Sequence, residues 1–449
     1  VGVFTEVAER FCGIHSKQEA PQTPTLNDMI LATSKAMDLL EGKPFRSGMK
    51  VAVIAGSIAK RMDLPMREVV SIVYAALLHD IGLVKIAADV YSYLPSGLSE
   101  KQLFHAHALK NARAVEISEE LTQRLHQHPL AAGPLIASLN LSEDVASIIA
   151  AHHELCDGSG YPNGLAEAQI PRGAKILAFA DVIEAVMSEV TTGLATRREA
   201  LEQFMETEAV GKFDSAVMAH FREVMGENDE FLRSLATLEV ENMAAALLPQ
   251  KSAPLSGQDL LNIVKVLGSL SDSILSLYKN KRSLQVADKA VRLASSLGIH
   301  REQTGELAIA AMLMDLGHLG TPIGLLLKPG PLTSDERAIV QDHPVMTREI
   351  LKGVPGFENI VLWCSEHHER MNGKGYPGNK KGFEISIGGR ILALADVFDA
   401  LTNRRPHRIH AMSPMDAIPV IGQGRMTLYD HHLFAQLRRV VLESEVLVR

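Results

Sequence analysis

One block of sequence occurs twice in this chain, and the duplication limits the fold more than any other feature. The run Ala151-His152-His153-Glu154-Leu155-Cys156-Asp157-Gly158-Ser159-Gly160-Tyr161-Pro162 returns as Glu366-His367-His368-Glu369-Arg370-Met371-Asn372-Gly373-Lys374-Gly375-Tyr376-Pro377, 215 residues on (367 − 152). His128-Pro129 and His343-Pro344 keep that distance, and so do Ala180-Asp181-Val182 and Ala395-Asp396-Val397. His79-Asp80-Ile81-Gly82 and Met314-Asp315-Leu316-Gly317 stand 235 apart (314 − 79), so the first copy carries 20 extra residues between Asp80 and His128. A repeat of this length is a duplicated domain, not a solenoid unit.

Within each copy the apolar residues recur at helical spacing, and almost nothing alternates with the period of a strand. Val51–Met62, the nearly all-apolar Val69–Leu78, Val145–His153, Ala174–Ser188 and Leu201–Leu235 read as helices of the first copy. Leu260–Lys279, Ser283–Leu297, Thr304–Asp315, Asp335–Leu351, Ile360–His368 and Gly389–Leu401 read as helices of the second. Residues 95–127, polar and histidine-rich, hold the extra length. Leu248-Pro249-Gln250-Lys251-Ser252-Ala253-Pro254-Leu255-Ser256-Gly257 has the composition of a linker. The expected class is all-α, with two tandem helical domains: an arm over 1–25, a first domain over 26–247, the linker over 248–257 and a second domain over 258–449. Phe213-Asp214 with Val217, and Tyr429-Asp430 with Leu433, echo each other near the two domain ends.

A chain of 449 residues has room for two cores, and its 46% hydrophobic and 22% charged residues are those of a globular protein. The net charge of −8 argues against a broad surface for polymeric nucleic acid or membrane, but not against a small anion held locally. Cys12, Cys156 and Cys364 show no paired spacing, which suits a reducing compartment. No apolar run approaches a membrane span and no signal peptide is evident, so a cytoplasmic place is expected. The start at Val1 suggests that an upstream segment has been removed.

The matched polar set of the first copy is His79, Asp80, His128, His152, His153 and Asp181. Neutral imidazoles with two carboxylates suit Fe, Mn, Zn, Co or Ni better than Ca or Mg. Adjacent helical residues point about 100° apart, so His152 and His153 reach one ion only near a helix end, or else serve two. Asp80 has two oxygens and is able to bridge a metal pair, an arrangement suited to phosphoester hydrolysis because the metals acidify water and neutralise phosphate oxygens. A single histidine at a helix end is more often a core residue than a ligand. Two diverging copies that keep such a set in register favour the metal reading.

These motifs resemble the HD-GYP family of bacterial phosphodiesterases, a subgroup of the HD superfamily of metal-dependent phosphohydrolases. The resemblance rests on His79-Asp80-Ile81-Gly82, His128-Pro129, His152-His153-Glu154, Asp157 to Pro162 and Ala180-Asp181-Val182. In the second copy Pro329-Gly330-Pro331-Leu332-Thr333, the run Arg390–Thr402 and Arg405-Pro406-His407-Arg408 follow the family pattern closely. It covers nearly the whole chain from about residue 26. The resemblance implies hydrolysis of cyclic di-GMP, or of cyclic GMP-AMP, in second-messenger signalling, with His79 and Asp80 as catalytic residues and a centre of two or three divalent metals.

It also implies ligand roles. An upstream histidine, His79, Asp80 and Asp181 hold one metal; Asp80, His128, His152 and His153 hold the other. The upstream histidine is Ser47 in the first copy and Arg282 in the second, and Met314 stands where the second copy needs histidine. The first copy is therefore expected to hold up to two ions. The second, with Asp315, His343, His367, His368 and Asp396, is expected to hold one at most. On the substrate side the family lysine is Leu83 in the first copy and His318 in the second, with Lys85 nearby but out of register. Arg404, Arg405 and Arg408 supply the family's arginine run in the second copy, where the first has Glu189-Val190-Thr191-Thr192-Gly193. Lys85 and the three arginines are the candidate substrate contacts; a solvated face is an equal reading for Arg404 and Arg405. His105, His107 and His126 read as surface residues of the insertion, with His126 a competitor for the register of His128. The expected ligand is a cyclic dinucleotide; a second copy of the chain or a signalling protein is the other partner considered. The alternatives are an inactive receptor or scaffold, and a phosphohydrolase for another nucleotide.

Overall fold

The computed structural model describes residues 23–92, 118–190, 193–226, 229–275, 281–328, 330–403, 410–423 and 427–446, except the side chains of 87–89, 91, 92, 195 and 444–446. Every regular element among the described residues is a helix, and the only strand-like pairings are isolated bridges such as Asp157 with Ala166 and Asn372 with Lys381. The all-α class expected from the sequence is the class found. Met29–Ala253 forms one compact unit, and the chain from Pro254 onward forms a second together with residues up to Asp28. In that second unit Thr25 bridges Pro254, and the Leu255 amide donates to the Pro24 carbonyl at 3.0 Å.

In the first unit the central helix is Met66–Leu78. It packs against Ser47–Arg61, which also lies against Arg172–Glu189. Val73, Ala75, Ala76 and Leu78 are fully buried, as their lack of any polar face requires. The stretch Met66–Ile86 is long and apolar enough to cross a membrane by length and composition, contrary to the expectation from sequence, yet 83% of that window is buried inside the protein. In the second unit Arg282–Ser296 packs against Arg301–Leu313 and Ile387–Thr402 in the same relation.

Two single helices expected from the sequence are divided. Asp335–Leu351 is Ser334–Gln341 followed by His343–Leu351. The signal is Pro344, which has no amide to donate and belongs in the first turn of a new helix; Pro129 starts His128–Ala131 in the same way. Leu201–Leu235 is divided among Leu194–Thr207, Ser215–Met225 and Glu230–Leu235. Asp214 caps the middle piece, accepting from the Ala216 and Val217 amides, and Lys175 Nζ lies 3.1 Å from its other oxygen. Asp430 does the same through His432, Leu433 and Arg390, which explains the echo near the domain ends. Of residues 95–127, the described part holds the helix Glu119–Leu125; His105 and His107 lie outside the described residues.

The turn into Ser47–Arg61 is held by Asp38, which accepts from the Arg46 amide at 2.6 Å and the Gly48 amide at 2.8 Å. Burial pushes its carboxyl up to about 7, against the pull of those amides and of Lys43. The unfolded chain releases this proton near 3.8 and the folded chain only near 7, so the folded form holds the extra proton between them. Stability of this unit therefore falls as pH rises from 4 to 7, by at most about 4 kcal/mol from this group. Asp38→Asn is expected to flatten that part of a urea-unfolding profile against pH; an unchanged slope would show that Asp38 ionises normally.

Candidate metal centre

His79 and Asp80 follow directly on the helix Met66–Leu78, in a turn closed by Ile81 N–H to Leu78 O at 3.0 Å and Leu83 N–H to Asp80 O at 2.9 Å. Gly82 is demanded by close approach: a Cβ there would lie 1.9 Å from the His128 carbonyl oxygen. The turn carrying Asp80 thus sits on the backbone of the segment carrying His128. Gly317 has the same relation to the His343 carbonyl, at 2.0 Å. His152 and His153 lie in the turn after Glu143–Ala150, which frees them from helical divergence. Asp181 comes from mid-helix in Arg172–Glu189.

The imidazoles are oriented by their own backbone. Nδ1 of His79, His128 and His152 lies 2.8, 2.7 and 2.6 Å from the carbonyl oxygens of Ala76, Leu125 and Ile149. A carbonyl only accepts, so Nδ1 carries a proton and Nε2 points inward. Burial opposes charge on His79, but Asp80 and Asp181 outweigh it and raise its pKa well above the usual value, so its Nε2 keeps a proton toward them. His343 and His367 repeat this with Val340 and Cys364, at 2.8 and 2.7 Å. Asp80 Oδ1 lies 3.0 Å from His128 Nε2 and 3.8 Å from His152 Nε2, while its Oδ2 faces His79 Nε2 at 3.2 Å. Donor atoms of Asp80, His128, His152 and His153 all fall within 4.8 Å of one another, and so do those of Asp315, His343, His367 and His368. Burial opposes charge on Asp80, but His79, His128 and His152 outweigh it and hold its carboxyl well below the usual range. Burial lowers His152, His343 and His367, the last to about 4, so these rings are neutral.

The second half of each set is not arranged as expected. His79 Nε2 lies 3.5 Å from Asp181 Oδ1, but the lysine Lys43 reaches the same place, its Nζ 3.8 Å from Asp181 and 2.6 Å from Glu41. Burial pushes Asp181 up, yet Lys43 and His79 outweigh it and bring it to about 2. Ser47 turns away and donates to Glu184 at 3.1 Å. In the second unit Arg282 forks onto Asp315 and Asp396, 2.5 Å from the latter. Met314 is buried in the place of His79. Glu41, whose donor atoms group with those of His79 and Asp80, was not singled out by the sequence. Its only signal is a carboxylate beside Gly42, where the helix pattern breaks. Lys85 is exposed, and Arg404, Arg405 and Arg408 lie outside the described residues. His126 stacks on Tyr161 with ring centroids 3.8 Å apart and is not in the ligand set.

The Gly-Tyr-Pro loop backs the site. Glu154 is buried and accepts from the Asn163 and Leu165 amides at 2.7 and 2.8 Å; Glu369 accepts from Gly378 and Lys380 at 2.6 and 2.9 Å. Gly160 has no room for a Cβ, which would come 2.3 Å from the Leu155 amide nitrogen. Tyr161 and Tyr376 then lie over His153 and His368, with centroids 4.6 and 4.7 Å apart. Charged hydrogen bonds of this kind contribute about 1.5–3 kcal/mol each. Glu154→Ala is therefore expected to lower the stability of the first unit by about 3 kcal/mol and to loosen His153, read as a lower melting temperature and weaker metal retention. An unchanged melting temperature would contradict this role for Glu154.

The model of the HD domain family matches residues 34–217 and 269–433. The chain belongs to the HD domain family. Its two HD domains are of the HD-GYP type, the type read from the sequence. Over 94% of its length this tandem HD-domain chain is 28% identical to the 3'3'-cGAMP-specific phosphodiesterase 3 of Vibrio cholerae, 96% of which is covered. Over 31% of the chain it is 41% identical to the cyclic di-GMP phosphodiesterase response regulator RpfG of Xanthomonas campestris, 37% of which is covered. Among solved structures it is similar to the cyclic GMP-AMP specific phosphodiesterase V-cGAP3 of V. cholerae, with a TM-score of 0.68 and 26% identity, covering 94% of this chain and 98% of that one. Divalent metal use goes with the family, and the residues fit it. His152 Nε2 is buried without a hydrogen-bond partner, inside a set of three imidazoles and one carboxylate, a donor set suited to transition metals.

Proposed function

We propose that this chain is a metal-dependent phosphodiesterase for a cyclic dinucleotide and that its first HD domain does the chemistry. The observation that carries the reading is the converging set Asp80, His128, His152 and His153, with His79 and Asp181 beside it. Asp80, His128, His152 and His153 would hold a divalent ion of the Fe, Mn, Co, Ni or Zn kind, which supplies water activation and charge neutralisation at phosphate. Asp80 stays ionised and is fixed by the rings around it. His79, tied to Ala76, backs its Oδ2. The water oxygen bonds to phosphorus, one 3′ P–O bond breaks, and a proton passes to the released 3′ oxygen, leaving a linear dinucleotide.

The relative that matches almost end to end is named for 3'3'-cGAMP, and several partial relatives for cyclic di-GMP. Cyclic GMP-AMP and cyclic di-GMP are therefore both candidate substrates. Arg404, Arg405 and Arg408 are proposed as phosphate contacts of the second domain, and exposed Lys85, near the family lysine's place but out of register with it, as a contact of the first. A cytoplasmic place suits such a substrate and the free thiols of Cys156 and Cys364. The second domain, where Arg282 takes the carboxylates, is read as binding or regulatory.

The test is chromatography of each nucleotide after incubation with protein loaded with Mn, Fe or Co. A linear dinucleotide product is expected. Nucleotide bound but returned intact by every metal form would favour a receptor and end the enzyme reading.

A further inference from the structure

Each domain carries a side-chain cation where the family resemblance calls for a metal. We infer that each domain binds one divalent ion only, at its carboxylate and three imidazoles, and that Lys43 and Arg282 are built-in replacements for a second ion. The inference rests on the metal reading proposed above.

The two cations arrive by different routes. Arg282 stands at the counterpart of Ser47, 235 residues on (282 − 47), the position the resemblance makes a ligand. Its guanidinium bonds Asp315 Oδ2 and Asp396 Oδ1, with Asp399 3.9 Å behind it. A guanidinium stays charged at any working pH and offers its donors as a rigid fork. An ion needing the same two oxygens would meet a fixed positive charge and lack an imidazole, since Met314 stands there.

In the first domain Ser47 is too short and bonds Glu184 instead. The charge comes from Lys43, in the turn before that helix. Its side chain is only 7% exposed, and its Nζ touches Glu41 at 2.6 Å and lies 3.8 Å from Asp181 Oδ1. Buried carboxylates need a partner cation, and here the chain supplies it. The other oxygen of each shared aspartate faces imidazoles: Asp80 Oδ1 lies near His128 and His152, and Asp315 Oδ1 near His343 and His367, at 3.7 and 3.8 Å. Arg282 neutralises the far side of Asp315, and Lys43 neutralises Asp181, the partner carboxylate of Asp80 across His79; Oδ1 of Asp80 and of Asp315 is left for an ion.

The rival arrangement is also defined. Glu41, His79 and Asp80 have donor atoms close enough to hold an ion if Lys43 moved aside, with Glu41 making good the missing histidine.

The experiment uses the full chain, stripped of metal, reloaded with Mn(II) and desalted. Ions per chain are counted by mass spectrometry, and the spin state is read by electron paramagnetic resonance. Two ions per chain with spectra of isolated Mn(II) are expected, one lost in His152→Ala and the other in His367→Ala. Lys43→Ala is expected to raise the count to three and add an exchange-coupled signal, and Arg282→His with Met314→His to do the same in the second domain. Three or four ions in the unaltered chain, or a coupled signal reduced by Glu41→Gln, would overturn the inference. So would a count that stays at two in well-folded Lys43→Ala. No retained ion, or retention indifferent to His152→Ala and His367→Ala, would sink the metal reading itself.

Discussion

Asp80→Ala is expected to lower turnover of the cyclic dinucleotide by about 10³-fold or more, while Asp315→Ala leaves turnover within a few-fold. The asymmetry comes from what each aspartate touches. Asp80 faces His79, His128 and His152 with no lysine or arginine in ion pairing with it among the described residues. Asp315 is already tied to Arg282. Removing the carboxylate of the first site takes away an anionic ligand, and an ion's contribution at phosphate is worth several kcal/mol of barrier, each 1.36 kcal/mol being tenfold in rate. Steady-state rates with metal-loaded variants check this. Equal losses in the two variants would mean that both domains turn over, and no loss in Asp80→Ala would remove the first domain from the chemistry.

Gly82→Ala is expected to lower the stability of the first unit by about 3 kcal/mol, at the upper end of what overpacking costs. The added methyl would lie 1.9 Å from the His128 carbonyl oxygen and 2.9 Å from its carbon, both backbone atoms that cannot swing away. For a unit of this size the shift in melting temperature is about 6–12 °C. Gly133→Ala is the control, since a Cβ there meets nothing within 4 Å. The two turns that carry Asp80 and His128 must also part, so metal retention should fall with stability. If Gly82→Ala and Gly133→Ala melt together, the packing of the His-Asp turn against the His128 backbone is not as described.

The duplication, the class and the residues that converge were legible because each has a local mark. A helix announces itself by spacing, and the ligands kept register in two copies. Gly82, Gly160 and their counterparts were visible as residues, but their reason lies in backbone atoms 46 and 5 residues away in sequence (128 − 82 and 160 − 155). Sequence gives no hint of that approach. Pro129 and Pro344 were legible signals of new helices and were read only as marks of the repeat. Lys43 was not legible at all. It lies in a turn that reads as a helix break, and only the path of the chain brings its ammonium to Asp181. Arg282 was legible as a lost ligand but not as a cation bridging Asp315 and Asp396, because that bridge joins two helices and a turn far apart in sequence.

The most direct test is an anomalous difference map from crystals of the chain grown with Mn or Fe and measured near the metal's absorption edge. One strong peak is expected in the first domain, about 2.0–2.2 Å from Asp80 and from Nε2 of at least two of His128, His152 and His153. A first domain without a peak, its imidazoles engaged by ordinary hydrogen-bond partners, would contradict the account.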